Sequence, residues 1–281
     1  MEIGARLHHL QLLCPDPETC AQFYARAYGM QLERTGPGWT CVAPDRRLSI
    51  APGPANHLGF AAFAFAEPGA LEAYRRRVAS RIPVSSGPST LLSDGAFAVA
   101  DPDGNTMLFG AEASGDGHPS ISTRAKESIA AARLQHVAVR TTDPARLAAF
   151  YSHALGFVVS DRVEDDDGRL RACFLRTDEE HHVLAIFDAA EIRHDHFSLE
   201  TTDWTALRDW ADHMSRLGIP LAWGVGRHGP GNDTFFMIRD PDGNLSEIST
   251  ELEVCVPGRN EGLWRHEQRT LNVWGTAIMR S

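Results

Sequence analysis

The chain lacks the features that mark membranes, secretion and nucleic acid. No stretch of its 281 residues approaches the roughly 20 consecutive apolar residues of a membrane-spanning helix. The opening Met1-Glu2-Ile3-Gly4-Ala5-Arg6 has no basic segment followed by an apolar one, so no secretory signal is expected. The five cysteines, at 14, 20, 41, 173 and 255, are odd in number and contain no Cys-x-x-Cys pair. Their spacing predicts neither a disulfide framework nor a zinc cluster, and a reducing cytoplasm is the expected location. The net charge is −10 and no basic stripe is present, which excludes the electrostatic footprint of a nucleic-acid binder. The acidic run Glu164-Asp165-Asp166-Asp167-Gly168 reads as a solvated hairpin turn rather than a calcium loop. What the chain does have is apolar material: 43% hydrophobic residues, enough for two cores in a chain of one large or two ordinary domains.

The chain also repeats itself. Asp101-Pro102-Asp103-Gly104-Asn105 recurs as Asp240-Pro241-Asp242-Gly243-Asn244. Laying residues 5–112 over 132–251 extends the match. Leu7-His8-His9-Leu10-Gln11-Leu12 aligns with Leu134-Gln135-His136-Val137-Ala138-Val139. Seven residues after His9 and His136 come Asp16-Pro17 and Asp143-Pro144; fourteen after come Phe23-Tyr24 and Phe150-Tyr151; twenty after come Gly29 and Gly156. Each set predicts an alternating strand and then a helix, with Asp as N-cap, Pro at its first position and Gly as its stop. Further on, His57-Leu58-Gly59-Phe60 pairs with His196-Phe197-Ser198-Leu199. Helices are expected over 69–79 and 203–217, followed by apolar strands joined by the Asp-Pro-Asp-Gly-Asn turn. Two modules are thus expected, at 1–112 and 132–251. A linker at 113–131, rich in Gly, Ser, Ala and charge, would join them. Residues 252–281 have no counterpart and are expected to form a tail packed on the second module.

The two copies differ where chemistry is expected. Glu247 lies seven residues after Asp240, and Leu108 holds the same place after Asp101. The interval from His57 to Leu108 equals that from His196 to Glu247. In the second copy His136, His196 and Glu247 each interrupt an apolar strand. A carboxylate facing into a sheet is costly unless it is paired or binds a metal. Two imidazoles and a carboxylate form a facial triad with three open positions, a set suited to non-heme Fe(II). His194, two positions from His196, would share its strand face and is an alternative ligand. The first copy keeps His9 and His57 but carries Leu108, so it is expected to be structural and metal-free. His182, in the pair His181-His182, and His228, in Gly226-Arg227-His228-Gly229-Pro230-Gly231-Asn232, fall outside the triad. With an ordinary pKa near 6.5, either can move protons at neutral pH.

Together these residues resemble the vicinal oxygen chelate superfamily, and within it the two-domain type I extradiol catechol dioxygenases. The resemblance covers nearly the whole chain. It implies an α+β fold of two tandem modules, each a pair of βαβββ units forming a curved mixed sheet around a cavity. It also implies Fe(II), or Mn(II), held by His136, His196 and Glu247 in the C-terminal module. His182 would be the acid–base residue assisting O₂ activation, and His228 would hydrogen-bond the diol. The substrates would be a small aromatic diol and O₂, with both oxygen atoms entering the product, and a homo-oligomer is the usual assembly. Phe174, Trp223 and Met237 are expected substrate contacts. Met237 stands where the family commonly has a Tyr, and Trp223 occupies a position where some members place an Arg. The rivals are a glyoxalase-like lyase or isomerase, a 2-oxo-acid dioxygenase, and a metal-free ligand-binding protein of the bleomycin-resistance kind.

Overall fold

A computed structural model describes residues 2–88, 91–112 and 129–281. Residues 113–128 of the expected linker lie outside these. The first module comprises β1 (Ala5–Cys14), α1 (Pro17–Tyr28), β2 (Gln31–Thr35), β3 (Gly38–Ala43), β4 (Arg46–Pro52), β5 (His57–Phe65), α2 (Pro68–Ala79), β6 (Ser85–Ser86), β7 (Phe97–Ala100) and β8 (Thr106–Ala111). The second comprises β9 (Ala132–Thr141), α3 (Pro144–Ala149), β10 (Val158–Glu164), β11 (Leu170–Arg176), β12 (Leu184–Asp188), β13 (Arg193–Thr201), α4 (Trp204–Arg216), β14 (Trp223–Arg227), β15 (Thr234–Arg239) and β16 (Leu245–Thr250). Then follow β17 (Gly262–Arg265) and α5 (Gln268–Leu271).

Each module is one mixed sheet. The strand orders are β2-β3-β4-β1-β5-β8-β7-β6 and β14-β15-β16-β13-β9-β12-β11-β10-β17. Each sheet is thus two strand–helix–strands units that meet through their first strands, β1 with β5 and β9 with β13. The tail adds β17 beside β10 in parallel. The acidic run forms the turn of the β10–β11 hairpin.

The helix signals act as the residues dictate. Asp16 accepts a hydrogen bond from the Thr19 amide, Pro17 opens α1, and Gly29 ends it at φ 62°. Asp143 caps α3 through the Arg146 amide. Here the copies diverge, because α3 passes into a π-helical turn, Phe150–Leu155, before Gly156 stops it at φ 81°.

The repeated motifs turn out to be each other's partners. In each Asp-Pro-Asp-Gly-Asn turn the first Asp folds the turn around itself, accepting from backbone amides two and four residues on. Its second oxygen reaches the other module: Tyr24 donates to Asp240 at 2.7 Å and Tyr151 to Asp101 at 2.9 Å. All four residues are buried. One apolar core runs across both modules and includes Tyr24, Tyr28, Phe63, Phe109, Phe197 and Trp210.

Strand register corrects the pairing of the two copies. His136 lies opposite Ser198, which lies beside Glu247. In the first module His9 lies opposite Ala62, which lies beside Leu108. Ser198 therefore corresponds to Ala62, and His196 to Phe60, not to His57. His57 matches Arg193 at the start of its strand and is exposed. The equal intervals from His57 to Leu108 and from His196 to Glu247 are a coincidence of loop lengths. Phe60, Ala62, Leu92, Ala98 and Leu108 pack as an apolar cluster, at the place that His196 and Glu247 hold in the second module.

Candidate metal centre and substrate pocket

His136, His196 and Glu247 stand on the adjacent strands β9, β13 and β16, pointing to one face, and each is at least 96% buried. One ligand atom from each lies within 4.8 Å of the others. His194 is excluded from this set. A β-bulge between His194 and His196 inserts Asp195 and breaks the two-residue alternation that would have put both imidazoles on one face. His194 instead lies nearly parallel to Phe197, centroids 6.5 Å apart.

The hydrogen bonds around the triad fix its chemistry. His136 Nδ1 donates to Gln135 Oε1 at 2.5 Å, and His196 Nδ1 donates to the Asp195 carboxylate at 2.5 Å. Both rings thus carry their proton on Nδ1. Their Nε2 lone pairs face each other at 3.1 Å, an arrangement that repels unless a cation lies between them. Glu247 Oε1, 3.8 Å from His136 Nε2, is buried with no hydrogen-bond partner. Burial lowers His136 to about 3, so its imidazole stays neutral. Burial alone would raise Glu247, but a hydrogen bond from His228 and the nearby imidazoles bring it down to about 2. Two imidazoles with Nε2 turned inward and an ionised carboxylate, each held by its own outer partner, are a donor set that fits a divalent transition metal.

Two more histidines flank the triad. The His182 ring centroid is 4.5 Å from that of His136, and its Nδ1 is 3.0 Å from His181 Nδ1. His181 Nε2 faces Asp161 Oδ2 at 3.2 Å. Asp161 also accepts from Arg259 and Trp264. A line Asp161–His181–His182 thus runs from β10 into the pocket. Burial, then the surrounding imidazoles, hold the His182 pKa well below the ordinary value. His228 is stacked on Phe235, centroids 3.8 Å and planes 7° apart. Its Nδ1 donates to Leu271 O at 2.6 Å and its Nε2 meets Glu247 Oε2 at 3.3 Å. Burial would lower His228, but the Asp233 and Glu247 carboxylates raise it. Both its nitrogens face acceptors, which favours the protonated ring. Gly231, at φ 79°, lets this loop approach closely: a Cβ there would sit 3.1 Å from His181 Nδ1.

The enclosed space holds about 20 Å³, room for little more than one water. Phe174, Ala185, Phe187 and Met237 line its sheet side, and Leu271 and Arg280 close it from the tail. Admitting an aromatic ring therefore requires lining side chains to move. Trp223 is not among the lining residues, contrary to expectation. Its indole N–H donates to Thr276 O at 2.9 Å, and its ring packs edge-on against Phe235 and His228.

Three functional side chains escaped the sequence reading. Asp195 carries the hydrogen bond that orients His196, and it also pairs with Arg140 and Arg280. Asp161 anchors His181. Asp233, wholly buried and pushed up to about 7 by that burial, is the carboxyl facing His228.

A doubled βαβββ sheet with a His–His–Glu triad in its second half defines a paired-module protein with a potential metal centre. The model of the Glyoxalase/Bleomycin resistance protein/Dioxygenase superfamily matches residues 6–109 and 133–248, and the chain belongs to that superfamily. Metapyrocatechase 2 of Cupriavidus necator is 26% identical over 270 residues, covering 90% of this chain and 83% of that protein. The metapyrocatechase of Pseudomonas sp. (strain CF600) is 28% identical over 134 residues, covering 47% and 43%. Homoprotocatechuate 2,3-dioxygenase of Arthrobacter globiformis superposes with a TM-score of 0.81 at 23% identity, over 98% of this chain and 88% of that one. No helix among the described residues is long and apolar enough to cross a membrane.

Proposed function

We propose that the chain is an extradiol dioxygenase. It opens an aromatic diol with O₂ to a 2-hydroxymuconic-semialdehyde-type product, using Fe(II), or Mn(II), held by His136, His196 and Glu247. The observation that carries the proposal is the pair of Nε2 lone pairs 3.1 Å apart beside an unpartnered Glu247 oxygen, with two further imidazoles facing the same space. The bound metal supplies a Lewis-acidic centre at which the diol is acidified and brought beside O₂.

The remaining chemistry belongs to the chain. His182, neutral and donating through Nδ1 to His181, keeps its Nε2 lone pair for a hydroxyl proton from the diol and returns that proton to the opened product. Asp161, through His181, stabilises the charge that arises when it does so. His228, its pKa raised by the facing carboxylates, donates from Nε2 to a diolate oxygen. Phe174 and Met237 form an apolar wall, and the tail excludes water. The absence of a phenol at position 237 leaves the proton traffic to the two histidines. A lyase site sharing ligands between modules is disfavoured, because all three donors lie on the second sheet while Phe60 and Leu108 hold the matching places on the first.

The test is oxygen uptake with parallel absorbance scans, on protein loaded anaerobically with Fe(II) and offered a panel of catechols. The expected result is one O₂ consumed per coloured ring-opened product. Uptake with a 2-oxo acid and none with any catechol would overturn the proposal.

A further inference from the structure

A second cluster of ligating atoms lies at the seam between the modules. Cys14 ends β1, Cys20 lies in the first turns of α1, and Asp242 sits in the turn between β15 and β16 of the other module. The two thiols and a carboxylate oxygen all lie within 4.8 Å of one another. Cys20 Sγ donates to Asp242 Oδ2 at 3.2 Å, and the Cys14 thiol lies within 4.8 Å of both. Both cysteines are wholly buried, while Asp242 is half-buried and gives the cluster a path to solvent.

The internal repeat provides a comparison. Asp103, the counterpart of Asp242 and half-buried like it, is paired with Arg146 across the equivalent seam. On the Asp242 side, the residue aligned with Arg146 is Thr19, and its hydroxyl donates instead to Asp16. No salt bridge to Asp240 or Asp242 forms among the described residues; their partners are the Tyr24 hydroxyl, the Asn244 amide, backbone N–H groups and the Cys20 thiol. Two neighbouring carboxylates thus lack a cation on the side where the chain carries two thiols. The matching positions of the other module, Thr141 and Leu147, have none. The third ligand comes from the other module, so no cysteine spacing reveals the cluster.

We propose that Cys14, Cys20 and Asp242 form a second metal site, for a thiophilic divalent ion of the Zn²⁺ type. It ties α1 of the first module to the turn that leads into β16. Two sulfurs and one carboxylate fill three tetrahedral positions and leave the fourth to water. Zinc–sulfur and zinc–oxygen bonds of about 2.3 and 2.0–2.2 Å set neighbouring ligands roughly 3.5–3.8 Å apart, so the cluster closes with shifts of about 1 Å. Binding releases two thiol protons to solvent and moves no electrons. Soft thiolates favour Zn²⁺ here, while the two imidazoles and carboxylate of the triad suit iron.

The test uses the full chain with the triad loaded by Fe(II) under anaerobic conditions, titrated with Cd²⁺ as a spectroscopic probe. A thiolate-to-cadmium ultraviolet band saturating at one equivalent is expected, since the triad has no sulfur to produce it. Cys14→Ser and Cys20→Ser abolish the band, Asp242→Asn weakens Cd²⁺ binding by at least about tenfold, and Cys173→Ser, in β11, leaves it intact. Unchanged iron content in each variant verifies folding. Absence of the band, or its survival in Cys14→Ser and Cys20→Ser, would overturn the site. Neither result depends on whether the enzyme cleaves catechols.

Discussion

Replacing Asp195 with Asn removes one charge and rearranges a buried network that reaches the metal centre. Oδ1 accepts from His196 Nδ1 and Arg280 Nη2, and Oδ2 from Arg140 Nε and Arg280 Nε. An Asn carbonyl has lone pairs for only two of these four donors, and its NH₂ group would face the other two. The Asp195 carboxylate is wholly enclosed and the Arg280 side chain 97% so, so solvent does not replace what is lost. Breaking a buried ion pair costs about 3–5 kcal/mol, and the Asp195→Asn unfolding midpoint in urea should drop accordingly. The metal should also be held less well. If His196 loses its Nδ1 acceptor, the tautomer with the proton on Nε2 becomes accessible, and that tautomer cannot ligate. Outer-partner substitutions of this kind weaken metal binding about 10–100-fold. Competition dialysis of Fe(II) against a calibrated chelator measures the loss. Arg280→Met separates the two effects: it leaves the His196–Asp195 bond in place, so it should lower stability with a smaller change in iron affinity. Iron affinity within about twofold of wild type in Asp195→Asn would refute the claim that Asp195 holds the ligand.

Three further outcomes follow from the geometry. His182→Ala should keep iron and lose turnover by about 10²–10⁴-fold; loss of iron, or an unchanged rate, would contradict the proton-carrying role. The metal-free protein should be acid-labile. His9, His136, His182 and His194 are all held below their ordinary pKa, chiefly by burial, with His136 and His194 at about 3. Between the native values and the unfolded value near 6.5 the unfolded chain binds more protons, so stability falls as pH drops below 6.5, by roughly 1 kcal/mol per imidazole between about pH 7.5 and 5.5. Raised His228 acts oppositely, its contribution complete below 6.5 and lost as pH rises through its native pKa, and so do Asp233 and Asp178, pushed up by burial to about 7 and about 6, in smaller total than the four imidazoles. Urea midpoints at the two pH values check the sum, and equal midpoints would contradict it. Finally, Leu108→Glu should destabilise the first module by several kcal/mol, because it places a carboxylate in the apolar cluster of Phe60, Ala62 and Ala98, with one imidazole, His9, opposite Ala62 on the same face; circular dichroism melts would show it.

Much of this was legible in the chain, and the failures have physical reasons. The Asp-Pro helix starts, the glycine stops and the repeated turn are local signals, and they fall where the sequence puts them. The resemblance named the triad, and the structure brings His136, His196 and Glu247 together on adjacent strands. The pairing of His57 with His196 failed because intervals along a chain do not see bulges or loop lengths. The bulge at Asp195, matched by Gly59 in the first copy, decides which face each neighbouring residue takes. The same bulge removes His194 from consideration, although strict alternation keeps it as a candidate. Asp233 and Asp161 were missed because their partners, His228 and His181, are fixed only by tertiary packing.

The first module, though its matching positions hold Phe60 and Leu108, still shapes the metal centre. Tyr24 holds Asp240, whose turn launches β16, and Tyr28 bonds Ser246 Oγ at 2.5 Å, one residue before Glu247. Ser246 and Glu247 point to opposite faces of the strand, so the hydroxyl contact on one face fixes the height of the carboxylate on the other. The second module returns the contact through Tyr151 and Asp101, but there the strand that follows carries Leu108. Duplication thus gives both halves the Tyr–Asp contact, while the Tyr28–Ser246 bond, matched by Leu155 and Met107 in the other pairing, exists only where there is a ligand to position. On this reasoning the helix α1 is part of the machinery that places Glu247, and the apolar half is retained because the ligand strand is anchored to it.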